Sequence, residues 1–225
     1  MSYPDVKPLV TSLGLPPNKE GLPYTLPIIT HNSIKSNPNG AMMDSLPIIK
    51  HLDQISPAKP LFPSGDASYA LFLAVGKILT LLYPSLLPLI MPRVPEHLDA
   101  RGQVYFHETR TVWFGKPLAE VFPTDRETVE GMYQAMEKEA GALVEMLNGR
   151  EGKKGPFFEG EVPGYADLLV ACHLAFFERF DKELFGRLLA LGEGEIKKLY
   201  QACLPWLDGQ GTDKEWAANG VKSIE

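Results

Sequence analysis

Thr25-Leu26-Pro27-Ile28-Ile29 decides how this chain is read, together with Met43-Asp44-Ser45 and Pro60-Leu61-Phe62-Pro63 further on. Tyr24 to Thr30 and Ala41 to Met43 are short apolar runs of strand character. Between them Asn37-Pro38-Asn39-Gly40 supplies turn chemistry, since proline fixes a negative φ and Asn-Gly tolerates a positive one. A hairpin is predicted. A proline after a strand-forming residue can take a cis bond that turns the preceding backbone outward, leaving the Leu26 amide and carbonyl free; the alternative is an ordinary trans proline in a loop. Ser45 is a good N-cap, and Leu46, Ile48, Ile49 and Leu52 give the following helix one buried face, with a stop before Pro57.

Working outward, Pro4 to Leu13 reads as one short helix, and the proline-rich run Ser56 to Gly65 separates unlike halves. The division predicted is 1–57 for a first domain, 58–65 for a linker and 66–225 for an all-helical second domain. Leu71, Phe72, Val75, Leu79 and Leu82 form the stripe of a core helix, which Pro84 and Pro88 are expected to break in its second half. A second helix covers Leu98 to Trp113. A third runs from a Thr124 cap to Leu147, with Val129, Met132, Met136, Ala140, Leu143 and Leu147 on one face and Asn148-Gly149 as its stop. Gly152 to Gly155 reads as a basic surface loop. Pro163-Gly164-Tyr165-Ala166-Asp167 opens the most apolar helix, with the Asp167 carboxylate reaching back to the helix start as a modified capping box. A last helix spans Glu193 to Leu207, and the tail from Asp208 is polar and loosely held.

Composition narrows the function. Hydrophobic residues make up 44% and charged residues 22%, so the chain folds rather than staying disordered. A formal charge of -6 offers no field for polyphosphates, which disfavours nucleic acid and anionic membrane surfaces as partners. The apolar stretch Ala67 to Met91 is interrupted by Lys77 and two prolines, so it reads as a core helix plus loop and no membrane span. Two cysteines, Cys172 and Cys203, without paired spacing, argue against a disulfide framework or structural zinc. A reducing, cytoplasmic setting is expected, and no export signal is seen at Met1-Ser2-Tyr3-Pro4-Asp5.

The ordered set Thr25-Leu26-Pro27-Ile28-Ile29, Met43-Asp44-Ser45 and Pro60-Leu61-Phe62-Pro63 resembles the glutathione transferase superfamily. Thr109-Arg110 and Phe114-Gly115-Lys116-Pro117-Leu118 look like fungal serine-type members related to β-etherases. The resemblance implies an α+β two-domain fold, a partial thioredoxin-like N-terminal domain followed by an all-α C-terminal domain. It implies glutathione as co-substrate, with Leu26 and Pro27 presenting main chain to its cysteinyl part, Ser45 and the helix start taking its γ-glutamyl carboxylate, and Asp44 receiving the α-amino group. It also implies small hydrophobic or aromatic molecules as second ligands, a possible homodimer, and a folding role for Asp167. The alternative is a protein that binds glutathione or hydrophobic ligands without turnover.

Glutathione attacks electrophiles as a thiolate, helped by a hydroxyl or thiol donor near the sulfur. In the serine-type relatives this donor follows the first strand, so the resemblance implies that the chain begins beyond the first β-α-β segment and that its catalytic residue is unknown. Ser2, Tyr3, Ser12 and Tyr24 are chemically capable donors outside the matching position. Tyr83, Met91, Tyr105, His107, Arg110 and Trp113 are candidates for an acceptor pocket. The histidines His31, His51, His97, His107 and His173 have no ligand spacing, no metal is expected, and Cys172 is read as a core thiol.

Overall fold

Asn37 explains how the N-terminal residues hold together. Its carboxamide is buried, and Nδ2 donates to the carbonyls of Leu13 and Gly14 at 3.1 and 3.0 Å. Its Oδ1 accepts from the amides of Asn39 and Ala41 at 2.8 and 3.2 Å. One side chain therefore satisfies a helix end and a hairpin turn together. The computed structural model describes residues 1–58 and 60–207; the tail from Asp208, expected to be loosely held, lies outside the described residues.

A 3-10 turn at Tyr3–Asp5 leads into α1 (Val6–Ser12), and strands β1 (Ile28–Thr30) and β2 (Ala41–Met43) precede α2 (Ser45–Ile55). The strands are antiparallel, with Ile28 opposite Met43 and Thr30 opposite Ala41. The hairpin is thus present, but β1 is shorter than the apolar run because Pro27 has no amide for a ladder. Gly40 closes the turn at φ 61, where a Cβ would come within 2.9 Å of the His31 carbonyl oxygen. Val10, Ile34, Ala41, Met43, Ile48 and Ile49 are buried. Ser2 donates from its hydroxyl to Asp99 Oδ1 at 2.9 Å, and Asp5 pairs with Arg101 at 2.9 Å.

The rest is helical: α3 (Asp66–Ile90), α4 (Ala100–Phe114), α5 (Arg126–Asn148), α6 (Tyr165–Phe180), α7 (Lys182–Leu189) and α8 (Glu195–Leu207). Among the described residues two compact units emerge, 1–58 with 97–109 and 60–96 with 110–207, so the division falls inside α4. Within the second unit α3 packs on α5 and α6, and α6 on α7 and α8.

Helix α3 does not stop at its prolines: it continues through Pro84 and Pro88 to Ile90. An interior proline costs about 3 kcal/mol, but Leu82, Leu86, Leu89 and Ile90, each 3% exposed or less, carry the buried stripe through that stretch and offset it. The helix with its following turn is long and apolar enough to cross a membrane, and 22% of its apolar window is buried; the helix packs on α5 and α6. Helix α5 starts one residue later than expected, with Asp125 and not Thr124 as N-cap, its carboxylate accepting from the Thr128 amide at 2.7 Å. It stops at Gly149, φ 61, as expected. The loop after it is basic, but Lys153 folds back and donates to the Leu147 carbonyl at the helix end.

Asp167 forms the expected capping box. Its oxygens accept from the amides of Gly164 at 2.8 Å and Phe158 at 2.9 Å, and the side chain is buried. Asp181 has a parallel role at α7, accepting from the Leu184 amide at 3.0 Å, from Tyr133, and from Arg93 at 2.9 Å. Burial and the Asp181 charge push the Tyr133 phenol up to about 12. Cys172 is not in the core: it is exposed, and Cys203 is the buried thiol, pushed up to about 12 by burial. Val170, Ala171, Leu174 and Phe177 set the inward stripe of α6, and Cys172 falls off it.

Candidate functional site

The Leu26–Pro27 peptide bond is cis. Leu26 is 53% exposed, and neither its amide nor its carbonyl is hydrogen-bonded among the described residues. The preceding residue is held in place: the Thr25 amide donates to Met43 Sδ at 3.4 Å, and Asn18 Nδ2 reaches Thr25 Oγ1 at 3.4 Å. A rigid support under an unpaired main chain leaves Leu26 able to accept a partner strand.

Asp44 follows β2 at φ 77 and ψ 136, the one positive-φ residue other than glycine among those described. Such a conformation costs of order 1–3 kcal/mol in a residue with a Cβ, and it persists where surroundings or function impose it. The Asp44 carbonyl starts α2 by accepting from Ile48 at 3.2 Å, but its carboxylate makes no cap hydrogen bond and is exposed. The strain therefore gives no cap hydrogen bond to the side chain in return.

Ser45 is the first residue of α2 and Asp44 occupies the N-cap, one position earlier than expected. Pro47 has no amide and Ile48 uses its own, so the amides of Ser45 and Leu46 and the Ser45 hydroxyl are what the helix start has to offer. Together they favour an anion through their donors and the helix dipole.

An open cavity of about 590 Å³ brings these parts together: Lys19, Glu20, Thr25, Leu26 and Asp44 are among its walls. Pro27 and Ser45 adjoin Leu26 and Asp44 in the chain without lining it. Sequence reading missed Asn18, Lys19, Glu20 and Leu22 as wall residues. The signal available was Asn18-Lys19-Glu20-Gly21, a turn in which the Asn18 amide donates to the Pro23 carbonyl at 2.8 Å and Gly21 has φ 72.

Of the hydroxyls considered as donors, those of Ser2 and Ser12 are hydrogen-bonded elsewhere, and the rings of Tyr3 and Tyr24 pack on neighbours. Ser2 bonds Asp99, Ser12 donates to the Leu9 carbonyl at 2.8 Å, Tyr3 stacks on Tyr105 at 6.4 Å, and Lys7 lies 5.8 Å over the Tyr24 ring. None of them lines the cavity, whereas Thr25 does. None of Tyr83, Met91, Tyr105, His107, Arg110 and Trp113 lines it either; Arg110 lies 5.3 Å over the Trp113 ring. Among the described residues no three His, Cys, Asp or Glu side chains converge as metal ligands. His31 and His51 nevertheless meet, with ring nitrogens 3.2 Å apart.

Comparison with known proteins gives the family and the fold. Residues 72–206 match the family model "Glutathione S-transferase, C-terminal domain". The glutathione S-transferase-like protein ustS of Aspergillus flavus is 49% identical across the whole of this chain and 83% of its own length. Among solved structures, the glutathione transferase GSTFuA3 of Phanerochaete chrysosporium matches with a TM-score of 0.75 at 26% identity, covering 95% of this chain and 83% of that one. A glutathione S-transferase of Ceriporiopsis subvermispora, in complex with glutathione, matches with a TM-score of 0.70 at 26% identity, covering 90% and 82%. The α+β class expected from the motifs, a partial thioredoxin-like domain with a helical domain, is the fold found. The chain belongs to the glutathione transferase superfamily.

Proposed function

We propose that this chain binds glutathione in the cavity at the start of α2 and transfers it to small hydrophobic electrophiles or uses it to cleave aryl ethers. The observation that carries the binding reading is Asp44: a strained residue whose exposed carboxylate faces a cavity shared with the unpaired main chain of Leu26. Glutathione is a small peptide with two carboxylates and one ammonium. Leu26, turned by Pro27, pairs with its cysteinyl amide and carbonyl as a one-residue strand addition. The Ser45 hydroxyl and the two free amides of α2 take the γ-glutamyl carboxylate, Asp44 takes the ammonium, and Lys19 takes the glycyl carboxylate. The Ceriporiopsis relative, solved with glutathione, supports the choice of ligand.

Transfer needs a thiolate, and a donor hydrogen bond at the sulfur lowers the thiol pKa. Thr25 supplies the hydroxyl among the cavity walls, and it already accepts from Asn18 while keeping its proton to donate. This shortage of donors favours a second reading, a binding protein for glutathione and aromatic ligands without turnover. Conjugation of glutathione to a generic aryl halide separates the two. Turnover that falls at least tenfold in Thr25→Val supports transfer through Thr25, turnover unaffected by it places the donor elsewhere, and binding without turnover supports the second reading. The binding assignment has its own test: calorimetry with glutathione on Asp44→Ala and Ser45→Ala. Each is expected to weaken binding about tenfold, the worth of one charge-assisted hydrogen bond, and unchanged affinity in both would refute the site. A cytoplasmic homodimer completes the proposal, and sedimentation of the full chain reads its assembly.

A further inference from the structure

We infer that His31 and His51 form a two-imidazole site for a divalent transition metal, which clips the turn after β1 to the middle of α2. His31 follows the last residue of β1, and His51 lies in the second turn of α2. Twenty positions apart in the chain, they bring His31 Nδ1 and His51 Nε2 to 3.2 Å, with ring centroids 5.1 Å apart and planes inclined at 63°. Ser33 Oγ completes a triangle, 2.6 Å from His31 Nδ1 and 3.4 Å from His51 Nε2.

The separation of the two nitrogens is that of ligands around one ion, while Ser33 Oγ stands at hydrogen-bond distance from His31 Nδ1. With metal–nitrogen bonds of about 2.0–2.1 Å, two ligands at a tetrahedral angle stand about 3.3 Å apart and at a right angle about 2.9 Å. The observed nitrogen separation lies between the two values. Without metal the same contact is a hydrogen bond in which one ring donates and the other accepts. Metal binding replaces that hydrogen bond and the Ser33 contacts of His31 Nδ1: the donating ring carries its proton on its other nitrogen, and both rings turn their lone pairs toward the ion. His31 and Ser33 are exposed and His51 is half-buried, which leaves water free to complete the coordination. Neutral imidazole suits Cu²⁺, Ni²⁺ and Zn²⁺, with Cu²⁺ held most tightly.

The clip has a structural consequence. The hairpin is a two-stranded sheet, and such a sheet is marginal without further support. A metal joining residues 31 and 51 closes a loop that contains the hairpin turn, β2 and the start of α2. Because the site exists only in the folded chain, binding stabilises the fold by mass action.

The test uses the full chain without an oligohistidine tag, titrated with CuCl₂ and ZnCl₂ in a calorimeter and followed by Cu²⁺ electron paramagnetic resonance. One Cu²⁺ per chain with a two-nitrogen signature is expected, weakened at least tenfold in His31→Gln and in His51→Gln, and unaffected by His97→Gln or His107→Gln. Circular dichroism confirms that each variant folds, and Ser33→Ala, which spares both rings, keeps binding within about threefold. Cu²⁺ affinity unchanged in the His31 and His51 variants, or lost only in the His97 or His107 variants, overturns the site. Glutathione binding plays no part in this inference, so either can fail without the other.

Discussion

Asp44 combines strain and charge in one residue. Glycine tolerates a φ of 77 without a Cβ penalty, so Asp44→Gly is expected to relieve strain and raise stability by about 1 kcal/mol. The same change removes the carboxylate that faces the cavity and should weaken glutathione binding about tenfold. A melting curve and a calorimetric titration of that single variant read both effects. A variant that is less stable than the parent, or that binds equally well, refutes the role assigned to the residue. Asp167 behaves differently because its work is internal. Replacing it with alanine leaves the buried amides of Gly164 and Phe158 without partners, a loss of about 2–3 kcal/mol. Burial pushes its carboxyl above the ordinary value of 3.8, against the amide bonds that pull it down. The folded chain therefore holds that proton more readily than the unfolded chain. The stabilisation from this shift is complete below pH 3.8 and is lost as pH rises through the folded value. The melting-temperature gap between the parent and Asp167→Ala is expected to narrow from about pH 4 upward without closing, because the amide bonds persist. A gap that widens over that range contradicts a raised carboxyl in the folded chain.

Elements depend on where their satisfied ends fall, and this is where sequence reading was strongest and where it failed. The hairpin, α2, α5 and the Asp167 box were legible because each carries local chemistry: Asn-Gly turns, a carboxylate at a helix start, an apolar stripe with a glycine stop. Helix α3 was misjudged beyond Pro84 because a local rule about proline was outweighed by burial of Leu86, Leu89 and Ile90, which only the tertiary fold reveals. Helix α7 was missed altogether. It spans eight residues, and it is fixed by Asp181, whose partners Tyr133 and Arg93 are distant in sequence. In the candidate site, Leu26 and Asp44 were readable from motif order, whereas Lys19 and Glu20 reach the cavity through a turn whose path no periodicity encodes. Asn37 tests the element scale directly. Its four hydrogen bonds tie the end of α1 to the hairpin, so Asn37→Ala should cost about 2–3 kcal/mol. Amide exchange should quicken across Ile28–Met43 while α5 stays protected. Equal acceleration in both segments would show that the residue supports the whole chain instead of its own corner.

For the whole molecule the decisive quantity is how unevenly stability is spread. Residues 1–58 with 97–109 form one compact unit and residues 60–96 with 110–207 another. The first has two three-residue strands and a small core around Val10, Ile34, Met43, Ile48 and Ile49; the second buries stripes from α3, α5, α6, α7 and α8. A small core with a marginal sheet opens more often than a large helical one. Every residue proposed to hold glutathione lies in the first unit. A ligand held there raises the opening free energy of that unit by RT ln(1 + [L]/Kd), about 2.7 kcal/mol at one hundred times Kd. Hydrogen exchange with and without glutathione is therefore expected to slow roughly a hundredfold across the amides of Ile28–Thr30, Ala41–Met43 and the body of α2. Amides of α5 that exchange through local opening of the second unit keep their rates. Protection confined to α5 and α6 would move the ligand to the helical unit, and protection of neither would remove glutathione from the proposal.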